Sequence, residues 1–250
     1  MLNANKKVAL VTGSGRGMGR AIALKLSQEH ITVVINDLNR DLAESTQELI
    51  RHSGGICSLS IGDASDEDFV DDMVEHSISE YGSIDILVNN AGVLRPTPLV
   101  DIPLAEWEFV IKGNLTSTFL CTKKVIPCMQ KNGWGRIINF SSTAGKNIST
   151  VGGAHYTAAK AAVLGLTRHT AKEVAEFGIT VNALCPGLIN TEMVRDTISD
   201  ESVEKYADSF PIKRLGNPEE VAELVMFLAS DKAAYITGAS MDINGGDLMI

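Results

Sequence analysis

The stretch that decides the fold is Val8-Ala9-Leu10-Val11-Thr12-Gly13-Ser14-Gly15-Arg16-Gly17-Met18-Gly19. Its first five residues favour a buried strand, and its last seven are rich in glycine. Residues 20–29 then carry apolar side chains at helical spacing. This order predicts a nucleotide site, because glycines let backbone N–H groups approach a pyrophosphate and a helix N-terminus carries partial positive charge.

The spacing of these glycines differs from the common G-x-G-x-x-G pattern. Counted from Gly13 that pattern ends on Met18, and counted from Gly15 it ends on Arg20. The sequence instead has G-x-x-x-G-x-G. A P-loop is excluded because no Lys-Ser or Lys-Thr closes the run. An ordinary glycine turn between a strand and a helix remains the alternative.

Apolar strand patterns alternate with helical patterns along the rest of the chain. Such alternation predicts an α/β fold in which parallel strands are covered by helices on both faces. Composition does not change along the chain, so we expect one domain over residues 1–250, with the irregular, charged segment 188–212 covering the substrate. The further strands are expected at 32–35, 56–61, 84–88, 136–140, 180–185 and 239–243, and the further helices at 41–52, 65–81, 104–131, 156–177 and 218–229.

Composition excludes several classes of function. The 250 residues are 44% hydrophobic and carry a formal net charge of −9, without a Lys/Arg cluster, which disfavours nucleic acid and anionic membrane surfaces as partners. No run approaches the roughly 20 apolar residues of a membrane span, and the N-terminus does not fit a signal peptide. Four dispersed cysteines indicate neither disulfides nor a metal site. We therefore expect a cytoplasmic protein with reduced thiols and no metal.

Asp37 follows the second strand, 20 residues after Gly17. A carboxylate at this place can bind the adenosine ribose hydroxyls, and it would repel a 2′-phosphate, so NAD is expected in preference to NADP. Arg16 instead favours NADP, because a guanidinium in the glycine loop can pair with that phosphate. The alternative for Asp37 is a turn or helix cap.

Polar side chains also stand at the ends of later strands and on two helices. Asp63 can accept a hydrogen bond from an adenine amino group or simply cap its turn. Asn114 interrupts a helical pattern, either at a kink that holds water or as a helix N-cap. Tyr156 and Lys160 lie one turn apart on one helix face, a pair that in isolation usually serves packing.

Taken together, these residues resemble the short-chain dehydrogenase/reductase family over essentially the whole chain. The nearest sub-group contains 3-oxoacyl-[acyl-carrier-protein] reductases and NAD-linked alcohol, sugar and hydroxysteroid dehydrogenases. The resemblance implies a single-domain Rossmann fold with a seven-stranded parallel sheet. The residues that carry it are Thr12, Gly13, Gly17, Gly19, Asp63, Asn89-Asn90-Ala91-Gly92, Asn114, Ser142, Tyr156, Lys160, Pro186-Gly187, Thr191 and Gly245-Gly246.

The resemblance also implies a catalytic tetrad of Asn114, Ser142, Tyr156 and Lys160. Ser142 is preferred to Ser141 because it lies three residues before a glycine, as in the family. The implied cofactor contacts are Gly13, Ser14, Gly15, Arg16, Gly17, Met18, Gly19, Asp37, Asp63, Ala64, Asn90, Tyr156, Lys160, Pro186, Gly187, Ile189 and Thr191.

The chemistry of these side chains agrees with hydride transfer between nicotinamide and a carbinol carbon. The transfer needs a proton donor at the oxygen, and a phenol whose pKa is lowered by a nearby ammonium suits that task. Ser142 can bind the substrate oxygen, and Asn114 can hold a water that links Lys160 to solvent.

We therefore expect an NAD(H)-dependent oxidoreductase that interconverts a secondary alcohol and a ketone, with Tyr156 as general acid/base. An NADPH-dependent ketoreductase of the 3-oxoacyl-[acyl-carrier-protein] type is the alternative, although the lack of a basic patch disfavours an acidic carrier protein. Two alternative hypotheses come from other functional classes. One is a non-catalytic dinucleotide-binding regulator, and the other is a methyltransferase with a similar glycine loop.

The substrate itself is not defined by the sequence. It is expected to meet the 94–98 loop, residues 143–155 and the 188–212 segment. Within these segments Thr143, Ala144, Asn147, Ile148 and His155 provide a mixed polar and small lining, although a residue such as His155, next to Tyr156, is more often a helix-start residue than a substrate contact. The family resemblance also implies a homotetramer, with a homodimer possible.

Overall fold

A parallel sheet forms the centre of the computed structural model, which describes residues 7–250. Within them the sheet has seven strands in the order β3-β2-β1-β4-β5-β6-β7, and every neighbouring pair is parallel. The strands are β1 (Val8–Thr12), β2 (Thr32–Asp37), β3 (Cys57–Ile61), β4 (Ile86–Asn89), β5 (Gly135–Phe140), β6 (Ile179–Pro186) and β7 (Ser240–Ile243). The expected Rossmann architecture is confirmed.

Helices cover both faces of the sheet. Buried side chains of α1, α2 and α9 pack on one face, and those of α3, α5 and α6 pack on the other. Covering both faces explains why the central strands are apolar throughout rather than alternating. The helices are α1 (Gly17–Gln28), α2 (Arg40–His52), α3 (Glu67–Tyr81), α4 (Leu104–Ile111), α5 (Ser117–Asn132), α6 (Ala154–Val174), α7 (Glu192–Thr197), α8 (Asp200–Ser209) and α9 (Pro218–Ala229).

The starts of α1 and α3 differ from the sequence prediction by three and two residues. Helix α1 begins at Gly17 rather than Arg20, because its first turn is made of loop residues that lack the apolar pattern. Helix α3 is capped by Asp66, whose side chain accepts a hydrogen bond from the Phe69 N–H. Ser65 and Asp68 have the spacing of a capping box in the sequence, but this prediction is wrong, because the Ser65 hydroxyl donates to Asp63 instead.

The interruption expected near Asn114 is a π-helical turn, Lys112–Thr116, that joins α4 to α5. The N-cap interpretation of Asn114 is wrong, because the backbone stays helical on both sides of the turn. The Asn114 side-chain amide donates to the carbonyl oxygens of Val110 and Val93, each at 2.8 Å. A wider turn at this point lets the helix carry a polar side chain inward.

The irregular segment after β6 contains the short helices α7 and α8. Helix α9 then begins at Pro218, and the Glu220 carboxylate accepts a hydrogen bond from the Asn217 N–H at 2.8 Å. Between residues 7 and 250, none of the helices combines the length and the apolar character that crossing a membrane requires. All four cysteines are free thiols, as expected.

The ends of β1 and β4 are joined by side-chain hydrogen bonds as well as by the sheet. The Thr12 hydroxyl oxygen accepts from the backbone N–H groups of Asn90 and Ala91, at 3.1 and 3.0 Å. The Asn90 side-chain amide donates back to the carbonyl oxygens of Thr12 and Gly13, both at 2.9 Å. This exchange fixes the chain where the glycine loop leaves the sheet.

We predict that Thr12→Val lowers the free energy of unfolding by about 1 to 3 kcal/mol, because it leaves the Ala91 N–H without its acceptor and leaves the Asn90 N–H only the Val88 carbonyl oxygen. The control Thr12→Ser keeps the hydroxyl and should lose clearly less. Chemical denaturation of the three proteins measures the difference. Equal stability of Thr12→Val and the wild type would contradict the prediction.

Candidate active site

The candidate site lies at the carboxyl edge of the sheet, where the strand order reverses between β1 and β4. Loops that leave neighbouring strands in opposite directions open a crevice at such a point, and α/β proteins bind ligands there. Strands β1, β2, β4, β5 and β6 all end at this edge, and the loops that follow them begin there. It therefore gathers the residues that the sequence predicted, although they are spread over more than 170 positions.

The glycine loop leaves the N-terminus of α1 free for an anion. In the first turn of this helix no side chain caps the N–H groups and no acidic residue occurs. A Cβ placed on Gly17 would lie 3.3 Å from the Thr191 side chain, so the loop faces the segment after β6 across a narrow gap. This cradle fits the pyrophosphate of a dinucleotide.

Asp37 is held next to that loop by backbone hydrogen bonds. Its Oδ2 accepts from the Gly15 N–H at 2.8 Å, and its Oδ1 accepts from the Asn39 N–H at 2.9 Å. A Cβ on Gly15 would lie only 2.7 Å from Oδ2, so the close approach requires glycine. Asp37 therefore caps its turn and also presents a carboxylate at the glycine loop; the two sequence readings are compatible.

Arg16 does not point freely toward solvent. Its Nη1 lies 3.2 Å from Oδ2 of Asp196 in α7. Both side chains are substantially exposed, so this ion pair contributes little to stability. It does connect the glycine loop to the segment that was expected to cover the substrate.

Several other residues that were expected to contact the cofactor form hydrogen bonds within the protein in this structure. The Ser14 side chain is fully buried, and its hydroxyl donates to the Val11 carbonyl oxygen at 2.9 Å. The Asp63 Oδ1 accepts from the backbone and hydroxyl of Ser65, at 2.8 and 2.6 Å, which is the turn-cap reading. Ala64 is buried behind this turn. Asn90 holds the glycine loop through the bonds already described.

The two serines after β5 face different partners. The Ser141 hydroxyl donates to the backbone carbonyl oxygen of Lys160 at 2.8 Å and is buried. The Ser142 hydroxyl accepts from the Ala144 N–H at 3.1 Å and lies close enough to Tyr156 to lower the pKa of its phenol. The geometry thus brings Ser142, rather than Ser141, to the phenol.

Burial dominates the ionisation of Tyr156 and Lys160. It raises the pKa of the Tyr156 hydroxyl, against the opposing effect of the nearby Ser142 hydroxyl. Burial also lowers the pKa of Lys160 to about 8, with the Cys185 thiol acting in the opposite direction. The expected lowering of the Tyr156 pKa by Lys160 is therefore not seen in this structure, because the same burial disfavours the ammonium.

The Lys160 amine and the Asn114 amide meet beside Gly92. Lys160 Nζ donates to the Phe140 carbonyl oxygen at 2.8 Å. A Cβ on Gly92 would lie 2.7 Å from Asn114 Oδ1 and 3.5 Å from Lys160 Nζ. Asn114 Oδ1 is buried and accepts no hydrogen bond from the described residues, so it remains a polar acceptor beside the lysine.

A pocket opens directly beside Ser142 and Tyr156. It draws side chains from all three expected substrate segments, including Thr143 and Ala144. Asn147 and Ile148 do not line it, and the expectation for these two residues is wrong. His155 does not line it either and lies in the first turn of α6, which is the helix-start role that the sequence favoured for it. His155 is turned inward and Ile148 outward. The lining residues are Met18, Leu94, Ser141, Ser142, Thr143, Ala144, Ser149, Thr150, Val151, Tyr156, Pro186, Gly187, Leu188, Ile189, Thr191, Met193, Val194, Thr197, Ile198 and Asp247.

Comparison with known proteins agrees with this geometry. Residues 13–247 match a family model described as enoyl-(acyl carrier protein) reductase. The chain belongs to the short-chain dehydrogenase/reductase family. A 3-oxoacyl-[acyl-carrier-protein] reductase from Staphylococcus aureus is 43% identical over 245 residues, covering 97% of this chain and 98% of that protein. One from Aquifex aeolicus is 42% identical and covers 96% of each chain.

Solved structures share the fold closely. Levodione reductase is 33% identical, with a TM-score of 0.92, and the match covers 96% of this chain and 97% of that one. A 3-oxoacyl-[acyl-carrier protein] reductase from Brucella melitensis with bound NAD is 34% identical, with a TM-score of 0.89 and coverage of 98% and 92%. The chain is thus an oxidoreductase of the short-chain family that binds a nicotinamide dinucleotide.

Sequence reasoning missed two partners of the short-chain dehydrogenase/reductase site. Asp196 was not connected with Arg16, because 180 residues separate them and only the packing of α7 brings them together. Glu106 was not connected with His155, although its Oε1 lies 3.0 Å from the imidazole Nε2. Neither pair has a local sequence signal, since each joins two different elements.

The pKa of Lys160 generates a prediction about stability. Its pKa is about 8 in the folded protein and 10.5 in the unfolded reference, so the unfolded state binds more protons between these values. The free energy of unfolding should therefore rise with pH between about 8 and 10.5, by up to about 3 kcal/mol. Below pH 8 the full cost of burying the charged amine is present.

Lys160→Met should remove this rise, because it has no titrating amine. Chemical denaturation of both proteins at pH 7 and pH 10 provides the measurement, and the difference between them cancels the other titrating groups. An equally steep rise in the variant would show that Lys160 is not the cause.

Proposed function

We propose that this protein is a ketoreductase that reversibly converts a 3-oxo group to a secondary alcohol, with Tyr156 as the general acid/base. The observation that carries the proposal is the placement of Ser142, Tyr156 and Lys160 together, beside both a pocket and the glycine loop. A binding protein without turnover has no need of a buried phenol and a buried amine within one helical turn of each other.

In this proposal the chain supplies positioning and proton transfer. The Ser142 hydroxyl binds the substrate oxygen, and Tyr156 delivers a proton to that oxygen during reduction and accepts one during oxidation. Lys160 lies with Nζ 5.6 Å from the centre of the Tyr156 ring, and its charged form stabilises the phenolate. A bound nicotinamide dinucleotide supplies or accepts the hydride.

Asn114 completes the proton path in this proposal. Its unpaired Oδ1 is suited to accept a hydrogen bond from a water molecule next to Lys160, so that a proton lost by Tyr156 can be replaced from solvent. The π turn at Lys112–Thr116 is what brings this amide inward. These four residues are the tetrad that the family resemblance implied.

The names of the relatives favour the 3-oxoacyl substrate over an unspecified alcohol. Several relatives over 40% identical along nearly the full chain are named 3-oxoacyl-[acyl-carrier-protein] reductases. The solved neighbours also include a levodione reductase, so a neutral cyclic ketone is a useful comparison substrate. The acidic net charge still disfavours docking of an acidic carrier protein.

For the cofactor, the Asp37 carboxylate supports NAD(H). It is fixed beside the glycine loop by the backbone N–H groups of Gly15 and Asn39, where it would bind the ribose diol of NAD and would repel a 2′-phosphate. One related 3-oxoacyl reductase has NAD bound in its solved structure. Arg16 keeps NADPH as the second candidate, but its guanidinium is paired with Asp196. The same proposal includes contacts to the cofactor from the glycine loop and from five residues elsewhere in the chain, which are Asn90, Pro186, Gly187, Ile189 and Thr191.

A homotetramer and a cytoplasmic location complete the proposal. Large apolar side chains are exposed on α4 and α5, among them Leu104, Phe109 and Phe119, and at the C-terminus, where Met249 is exposed. Exposed apolar groups of this size are typical of an interface. The segment 188–212 serves as the substrate cover, since α7 lines the pocket.

Tyr156→Phe should abolish turnover, by about a thousandfold or more, while cofactor binding stays within about threefold of the wild type. The assay follows NADH and NADPH absorbance with acetoacetyl thioesters of coenzyme A and of the carrier protein, and with a panel of neutral ketones. Cofactor affinity is measured separately by fluorescence titration.

A wild-type protein that binds the dinucleotide but reduces none of these compounds would favour the regulator reading. Persistent turnover in Tyr156→Phe would contradict the assigned mechanism. Tyr81→Phe serves as a matched control, because it removes the same hydroxyl from a tyrosine at the end of α3 that does not line the pocket.

Asp37→Ala should reduce the ratio of kcat/KM for NADH over NADPH by about tenfold or more, because it removes both the ribose contact and the repulsion of the phosphate. Steady-state kinetics with each cofactor measures the ratio. Asp63→Ala is the control, since that carboxylate caps a turn. A wild type that prefers NADPH would show that Arg16 outweighs Asp37.

A further inference from the structure

The first turn of α6, which carries Tyr156, begins without an ordinary cap. The residue before the helix is Gly153, which has no side chain to accept hydrogen bonds from the first N–H groups. The Tyr156 N–H lies 3.1 Å from the Gly153 carbonyl oxygen and 2.9 Å from Nδ1 of His155. The imidazole thus takes the place of the capping side chain that helix starts usually have.

The other imidazole nitrogen is bound to a carboxylate on a different helix. His155 Nε2 lies 3.0 Å from Oε1 of Glu106 in α4, and the imidazole is 0% exposed. Because Nδ1 accepts a hydrogen bond, the neutral ring carries its hydrogen on Nε2 and donates it to Glu106. This pair fixes both the tautomer and the orientation of the ring.

Glu106 is itself held by the segment that borders the pocket. Hydrogen bonds from Thr97 and then His155 hold the pKa of Glu106 below its usual range, so it remains a carboxylate. The Gly153 N–H donates to the Arg95 carbonyl oxygen at 2.7 Å, and a Cβ on Gly153 would lie 2.6 Å from the Thr97 carbonyl oxygen. The start of α6 therefore packs directly on residues 95–97.

We propose that His155, oriented by Glu106, is a positioning residue that fixes the first turn of α6 and so places the Tyr156 hydroxyl next to Ser142. The inference rests on the proposed function, in which that hydroxyl transfers the proton. The loop around Leu94 lines the pocket, and the Glu106–His155 pair joins this loop to the tyrosine. His155 touches neither the pocket nor the cofactor loop, so its effect is exerted through the backbone of Tyr156.

Two substitutions of His155 separate capping from packing. His155→Asn places an oxygen close to the position of Nδ1, so it retains an acceptor for the Tyr156 N–H while losing Glu106. His155→Leu fills the buried space but has no acceptor. Glu106→Gln keeps an acceptor for Nε2 and removes the charge. The control is His169→Leu, on the same helix, where an exposed imidazole lies 3.1 Å from Glu173.

We expect His155→Leu to lower kcat by about tenfold or more with the cofactor dissociation constant unchanged within about twofold, because a misplaced proton donor affects the chemical step. His155→Asn should recover most of this loss, and Glu106→Gln should lie between them. His169→Leu should behave as the wild type. A packing role predicts the opposite order, in which the larger Leu is tolerated better than Asn.

Amide hydrogen exchange gives a second readout that needs no turnover. The Tyr156 N–H should exchange slowly in the wild type, His155→Asn and His169→Leu, and at least about tenfold faster in His155→Leu. Should His155→Leu not fold, Glu106→Ala carries the same comparison from the more exposed side of the pair. Unchanged exchange and kcat in these variants would overturn the proposal. If the wild-type protein reduces no ketone, the proposed function is refuted. The exchange rate of the Tyr156 N–H in the variants then still tests whether His155 fixes the first turn of α6.

Discussion

The rest of the site depends on the hydrogen bonds that Thr12 and Asn90 exchange at the ends of β1 and β4. These neighbouring strands diverge into different loops, and without a cross-link the crevice between them would have no fixed width. The Thr12 hydroxyl accepts two N–H groups from the β4 side, and the Asn90 amide returns two bonds to the β1 side. Every residue that contacts the glycine loop is placed relative to this junction.

The fold was predictable because most strands are short apolar runs followed by a turn signal. Periodicity alone does not distinguish such a run from a buried helix, but its short length and the turn residues after it identify a strand that is covered on both faces. The site residues were also predictable, since they stand at strand ends or one helical turn apart. What the sequence did not show are contacts between distant elements. The Arg16–Asp196 and Glu106–His155 pairs join segments 180 and 49 residues apart, and no local pattern couples their members.

Local rules failed where a neighbouring residue offered a better partner. Ser65 fits a capping box, but Asp63 lies close enough to accept its hydroxyl, and Asp66 caps α3 instead. Asn114 fits an N-cap, but the carbonyl oxygens of Val93 and Val110 hold its amide inside a continuous helix. A local partner two residues away decided the first case, and one contact within the helix together with one from the Val93 segment decided the second.

Burial of Lys160 explains why the site needs its polar surroundings. Removing a charged amine from water is unfavourable, and this desolvation lowers the pKa of Lys160 to about 8. The hydrogen bond to the Phe140 carbonyl oxygen, at 2.8 Å, offsets part of the cost. The same desolvation makes the amine sensitive to any charge that enters the site. Ionisation of Tyr156 would therefore favour the charged form of Lys160, which is the form that stabilises the phenolate in the proposed mechanism. The stability lost at this position is thus linked to the electrostatic coupling that the proposed proton transfer uses.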